Sequence, residues 1–304
     1  MAHSAAKAKL GSPATLLGDN SCLPAALRGL INDPQFSDVT FVVGKERQVV
    51  HAHRCILACR CKVFQGMFSK QLQAAKSSQE LQVPFVLADM HPEVFLAVME
   101  FLYTNSVTLN NVIALEVLTS AVEYGLDDLR KLCVEFISKT LTVELACEAL
   151  QAAVTYGQSD LRKKCLSYIE RHTVEVIKTQ SFRELSDLGL QSVLQSNRLT
   201  IDEVPLIQAV REWAHVSSVV LDLPISVVAM DVVRELRLFL LSPDELTALE
   251  RENRKDELIP ESQIAQAWKF HALKKVSEIQ PHLFHRRKGT IVREHHRYLE
   301  TPSK

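Results

Sequence analysis

The stretch HAHRCILACRCKVF, residues 51–64, sets His51 and His53 beside Cys55, Cys59 and Cys61, side chains that can hold a metal ion or act as thiolate nucleophiles. Geometry argues against one shared ion. His51 and His53 are two apart and share a strand face, whereas Cys55 and Cys59 are four apart and share a helical face. Cys61 is turned by about 200° from Cys59 on such a helix, so three sulfurs cannot converge. The paired CxxC spacing of structural zinc sites is absent. A reactive thiol needs a nearby cation, and Arg54, Arg60 and Lys62 are close in sequence, which keeps redox sensitivity of Cys55 or Cys59 open. The simpler reading is a solvated helix face with Cys61 in the core.

Other chemistry has little to stand on. Glycine numbers nine in 304 residues, about half the usual share of roughly 7%, and phosphate cradles and nucleophile elbows are built from glycine. GxGxxG, GxxxxGK[ST], GxSxG and HExxH patterns are all missing. The expectation is a non-enzyme with no cofactor and no metal. A formal net charge of −1 gives no global field toward nucleic acid or membrane. Seven cysteines without regular spacing suit a reducing compartment. No signal-like block opens the chain and no run of eighteen apolar residues occurs, so the cytosol or nucleus is expected.

The elements that must position these residues follow from periodicity. SDVTFVVG (37–44) and RQVVHAH (47–53) read as a hairpin, and LQVPFVL (81–87) as a third strand that Pro84 confines to an edge. Leu57, Cys61, Phe64 and Phe68 form an apolar stripe of one helix or two abutting ones. Pro92 opens a helix lined by Phe95, Val98 and Leu102, which YTNS ends. Beyond residue 110 the pattern is helical. AVEYGLDDLRKLCVEFI (121–137) recurs as AVTYGQSDLRKKCLSYI (153–169), ten of seventeen positions being identical. Gly125 and Gly157 are the expected C-terminal caps, with Asp128 and Asp160 near the start of each following helix. Leu129, Cys133 and Phe136, then Leu161, Cys165 and Tyr168, are the expected inward stripes.

Thr200 and Glu203 are spaced as a capping box before a helix with Leu206, Val210 and Trp213 on one face. Ser242, Pro243 and Glu245 have the same grammar, although that stretch could also be read as a phosphorylation site. The last twenty residues, 285–304, carry Arg286, Arg287, Lys288, Arg293, Arg297 and Lys304 against two carboxylates. A solvated basic tail is expected, with a nuclear address or phosphate contact as alternatives.

SDVTFVVGKERQVVHAHRCILACRCKVFQGMF, EVFLAVMEFLYTNSVTL and AVEYGLDDLRKLCVEFI together resemble the BTB/POZ domain. ACEALQAAVTYGQSDLRKKCLSYI, FRELSDLGLQSVLQSNRLTIDEVPLIQAVREWA and VRELRLFLLSPDEL are similar to the BACK domain that follows it in kelch-like proteins. The resemblance implies an α+β fold: a flexible stretch 1–19, a BTB/POZ domain over 20–140 as a small sheet wrapped by helices, an all-α BACK-like domain over 141–280, and the basic tail 281–304. It implies a homodimer whose first helix, near Leu23, Leu27 and Leu30, packs across a two-fold axis, with Asp38 and Arg54 forming a charged pocket near the interface. That pocket is equally well read as a fold-holding ion pair.

Kelch-like relatives implied by the resemblance bind a cullin-3 scaffold as substrate adaptors of a ubiquitin ligase. The matching contact positions here are Phe68, Leu72, Ala74 and Tyr103. The family's motif of hydrophobic residue, any residue and glutamate falls on Leu72, Gln73 and Ala74, so the acid is missing. No kelch or zinc-finger segment follows within the sequence. Cys61 stands where relatives often carry a capping hydroxyl. The expected function is a protein–protein adaptor with itself, cullin-3 and a client protein as partners. The alternatives are a scaffold or transcription-linked oligomer without a ligase role, and a thiol-dependent enzyme or redox-sensitive protein.

Overall fold

The computed structural model describes residues 22–75, 80–274 and 281–299. The chain divides into two compact units, Met1–Leu129 and Arg130–Lys304, and the division falls inside one helix, Asp127–Lys139.

The first unit begins with helix α1, Cys22–Arg28, followed by the hairpin of β1 (Val39–Val43) and β2 (Gln48–Ala52). The hairpin pairs in register from Val39 opposite Ala52 to Val43 opposite Gln48. Gly44 turns the chain at φ +74°, where a Cβ would also press on the Pro92 ring. Strand β3, Phe85–Leu87, lies parallel to β1, giving the order β2-β1-β3 and the edge position expected from Pro84. It is shorter than the predicted 81–87, because Glu80–Gln82 turn into a 3-10 helix before the proline.

The apolar stripe belongs to two helices, α2 (Arg54–Arg60) and α3 (Lys62–Ala74), broken at Cys61, whose backbone is extended at φ −141°. Cys61 is buried and offers no side-chain cap to α3; its Sγ approaches the Tyr124 carbonyl at 3.5 Å. Helix α4 (Pro92–Thr104) has Pro92 in its first turn and ends at Asn105 in the left-handed region. Helix α5 spans Ala114–Glu123. The core is aromatic: Phe41 of β1 meets Phe95 at 5.0 Å and Phe64 at 5.7 Å between ring centroids.

In the second unit the remainder of α6 (Asp127–Lys139) leads to α7 (Leu145–Thr155) and α8 (Ser159–Arg171). Short helices α9 (Thr173–Val176) and α10 (Gln180–Arg183) precede α11 (Asp187–Leu194) and the long α12 (Glu203–Leu221). Helices α13 (Ile225–Val228), α14 (Pro243–Asp256) and α15 (Glu261–Leu273) follow.

Gly125 and Gly157 sit at φ +66° and +63°, each closing a Schellman cap. Leu126 N donates to Ala121 O at 2.7 Å, and Gln158 N to Ala153 O at 2.8 Å. The repeated stripes differ from expectation at one position. Leu129 and Cys133, like Leu161 and Cys165, are fully buried, but the next inward residues are Ile137 and Ile169. Phe136 and Tyr168, one position earlier, are only half-buried, because two steps of four carry the stripe past them. Leu206, Val210 and Trp213 do share a buried face.

The two predicted capping boxes diverge. Ser242 and Glu245 form one: Glu245 N donates to Ser242 Oγ at 3.3 Å, and Ser242 N donates to Glu245 Oε2 at 2.7 Å. Thr200 and Glu203 do not, since Asp202 occupies the cap position and Glu203 is buried in an ion pair. Residues 281–299 likewise depart from a solvated tail. Lys288 N donates to Asn197 O and Gly289 N to Leu199 O, both at 2.9 Å, so this segment is a strap laid on the helical unit. A Cβ on Gly289 would fall 2.0 Å from the Ile201 nitrogen, so the approach requires glycine. Residues 1–19 and 300–304 lie outside the described residues.

Candidate functional site

The junction of β1, β2 and α2 holds the residues singled out for interface chemistry. Asp38 precedes β1, and its Oδ1 accepts the backbone N–H of Arg54 at 2.7 Å. That N–H is among the first in α2 and has no partner within the helix. Asp38 therefore caps α2 from another element, a role no local spacing could reveal. Arg54 Nε donates to the Asp38 carbonyl at 3.1 Å, and its Nη2 donates to Gln71 Oε1 at 2.6 Å. The guanidinium also lies over the Phe68 ring, 4.9 Å from its centroid. These contacts tie the hairpin, α2 and α3 of the first unit to one another.

The three leucines have a different setting. Nothing in α1 is buried: Leu23 is 61% exposed, and Leu27 is half-buried, as is Leu30 just beyond the helix. Arg28 anchors the helix through an ion pair with Glu100 of α4 and a bond to Ser106 Oγ at 3.1 Å. The helix is thus positioned by polar contacts while its apolar side chains remain accessible.

Of the four positions matched to a cullin contact, two are on the surface. Leu72 is 59% exposed and Ala74, the last residue of α3, is exposed beside it. Phe68 and Tyr103 are core residues instead. Phe68 packs among Phe41, Phe64 and Phe85. Tyr103 Oη accepts His53 N–H at 2.9 Å and meets His53 Nδ1 at the same distance. Burial pushes the Tyr103 phenol up to about 12. They pack α3 and α4 into the first unit.

The histidine–cysteine cluster disperses. His53 is buried against Tyr103, Cys61 is in the core, and Cys55 and Cys59 are exposed. Among the described residues no three His, Cys, Asp or Glu side chains are grouped to hold a metal ion, and no helix is long and apolar enough to cross a membrane. Arg60, expected near the thiols, bonds Asn105 Oδ1 at 2.6 Å and lies over the Phe101 ring.

The second unit contains a charged core that the sequence did not announce. Glu203 Oε1 accepts the backbone N–H of Arg237 at 2.6 Å, and its Oε2 accepts Arg287 Nε at 3.0 Å. Arg287 also donates to the carbonyls of Leu194, Ser196 and Glu235, and Arg237 donates to His285 O at 2.7 Å. Burial, together with the adjacent Arg287, brings the Arg237 guanidinium down to about 10, so it stays charged at neutral pH. Further along the strap, Arg293 bridges Asp202 at 2.7 Å and Glu245 at 2.6 Å. Burial raises both carboxyls, but hydrogen bonds from Arg293 and from backbone N–H groups outweigh it and hold them below their ordinary values.

Comparison with known proteins places both units. A family model of the BTB/POZ domain matches residues 27–141, and one described as BTB And C-terminal Kelch, the BACK domain, matches residues 146–251. The chain is 54% identical over 287 residues to BTB/POZ domain-containing protein 19 of Bos taurus, covering 94% of this chain and 97% of that protein. It is 54% identical over 276 residues to the Homo sapiens protein of the same name, covering 91% and 93%. BTB/POZ domain-containing protein 6-A of Danio rerio is 29% identical over 187 residues, 61% of this chain and 34% of that protein.

Proposed function

The chain belongs to the BTB/POZ family, in the group that joins a BTB domain to a BACK domain, and from that premise we propose that it is a non-catalytic adaptor. Both domains are protein-interaction modules. In this reading the first unit homodimerises through α1 and its surroundings, and the second presents a surface to a client protein in a reducing compartment.

The observation that carries the reading is α1 itself. A seven-residue helix is far below the length that is stable alone in water, and no residue of this one is fully buried within its own chain. A second copy covering Leu23 and completing the burial of Leu27 and Leu30 would supply the missing burial, worth about 1.5–3 kcal/mol for a leucine that starts fully exposed and less for the half-buried pair. Leu23→Asp tests it, since an exposed position can take the charge without disturbing the fold: the variant should lose self-association while its circular dichroism spectrum stays that of the folded chain.

A ligase role is the finer part of the proposal. Leu72 offers an apolar contact at the end of α3, but Ala74 lacks the carboxylate of the family's cullin motif. That absence favours a scaffold that dimerises and binds clients with little or no cullin-3 attached. Tagged chain used for affinity purification, with and without Ala74→Glu, separates the two readings.

A further inference from the structure

The second unit carries an open groove of about 680 Å³ between the α10–α11 loop, the last turns of α12, and α13. Its floor is Trp213, fixed by a 2.7 Å hydrogen bond from Nε1 to the Leu185 carbonyl. Val216, Val220, Leu223 and Val227 form the walls. The apolar stripe that buries Leu206, Val210 and Trp213 continues along α12 to Val220, beyond the packed part of the unit, and leaves Val220 76% exposed. Val219 and Leu221, its neighbours on α12, are also exposed. Scattered apolar side chains on a surface need no explanation, but a cluster of this kind beside a concavity marks an interaction site.

Charge narrows the occupant. Glu184 and Asp187 line the groove, and Asp222 caps α12 between Leu221 and Leu223. The lining cation, Arg183, is already paired with Glu212 at 3.4 Å. Glu184 accepts a hydrogen bond from Gln180 and Asp187 one from the Leu188 backbone, neutral donors that leave both negative charges in place. The lining itself is exposed at Val220, Leu221, Leu223 and Val227, along the end of α12 and onto α13, a footprint suited to a helix rather than to a small molecule.

We propose that this groove docks an amphipathic helical segment of a partner protein, apolar on one face and flanked by lysine and arginine. The assignment rests on the adaptor reading and gives its client-facing surface a definite chemistry.

The test uses the full chain and two fluorescein-labelled fourteen-residue helical peptides, one built of leucine and lysine and the other of leucine and glutamate. Fluorescence anisotropy at physiological salt should show binding of the lysine peptide only. Val220→Asp and Val227→Asp, at exposed positions, should each weaken it by about tenfold or more with the thermal melt unchanged. Glu184→Gln combined with Asp187→Asn should weaken it too. Purely electrostatic adhesion would instead be unchanged or tightened by an added aspartate, and that result overturns the proposal. So does equal binding of both peptides, or no binding by a chain that still sediments as a dimer, which removes the groove while leaving the adaptor reading standing. Self-association that is lost in Val220→Asp but retained in Leu23→Asp would assign the groove to a second copy, and likewise overturns it.

Discussion

Arg287 and Glu203, 84 positions apart in the chain, meet as an ion pair whose side chains are both wholly inaccessible to solvent. The pair makes the strap 281–299 part of the folded helical unit. Removing one member of a buried pair leaves the other charge uncompensated, at a cost of about 3–5 kcal/mol. Arg287→Ala should therefore lower the melting temperature by at least about 6 °C, given about 2–4 °C per kcal/mol for a unit of this size. Gly289→Ala should be comparably damaging, because its Cβ would collide with the Ile201 backbone. Differential scanning fluorimetry reads both.

Acid should loosen the same strap. His295 and His296 donate from Nε2 to the carbonyls of Phe239 and Leu240, and His271 donates from Nε2 to that of Leu241. The His271 and His295 rings lie 4.6 Å apart, as do those of His295 and His296. Burial pulls all three imidazoles below their ordinary value, His295 to about 4 with the adjacent His296 contributing. The folded chain then holds fewer protons than the unfolded chain between about pH 6.5 and 4, so stability falls as pH is lowered through that window. Below it the depressed carboxyls of Asp202 and Glu245 protonate, and the Arg293 bridges are lost as well. A melting temperature that declines from pH 7 to 4, with the upper part of the decline flattened in His295→Gln, is the expected result.

Thiol chemistry should divide the seven cysteines. Cys22, Cys55 and Cys59 are exposed, whereas Cys61, Cys133, Cys147 and Cys165 are buried. Burial pushes the Cys133, Cys147 and Cys165 thiols up to about 12, which removes the thiolate that alkylation needs. Iodoacetamide on the native chain, followed by peptide mass spectrometry, should label the first three and spare the other four. Resistance of both Cys55 and Cys59 to the reagent would end the thiol-dependent reading.

Local grammar explains which features the sequence made legible. The glycine caps at 125 and 157 and the Ser242–Glu245 box depend on residues within six positions of one another, and the hairpin on two strands joined by a short turn; each formed as predicted. Thr200 and Glu203 have the same spacing as Ser242 and Glu245, yet Glu203 is engaged by Arg237 and Arg287. Spacing alone does not show that a distant cation will compete for a carboxylate. Arg287 and Arg293 read as solvated for the same reason, since their partners lie dozens of positions away. Asp38 was identified as important through resemblance, but its capping of α2 emerged only when the hairpin brought it to Arg54.

The cullin question turns on Ala74. Native chain should retain little cullin-3 on affinity resin, and Ala74→Glu, at an exposed helix end, should retain about tenfold more, in keeping with a charge-assisted contact of 1.4 kcal/mol or above. Equal retention by both would show that the acid is not the determinant. Absence from both would remove the ligase role.

Self-association through α1 is the central claim, and sedimentation equilibrium at micromolar concentration tests it most directly. The full chain should sediment at twice its 34.2 kDa mass, and Leu23→Asp should sediment at 34.2 kDa while keeping the circular dichroism spectrum of the folded chain. A native chain that sediments as a well-folded monomer would contradict the account, as would a Leu23→Asp variant that remains dimeric.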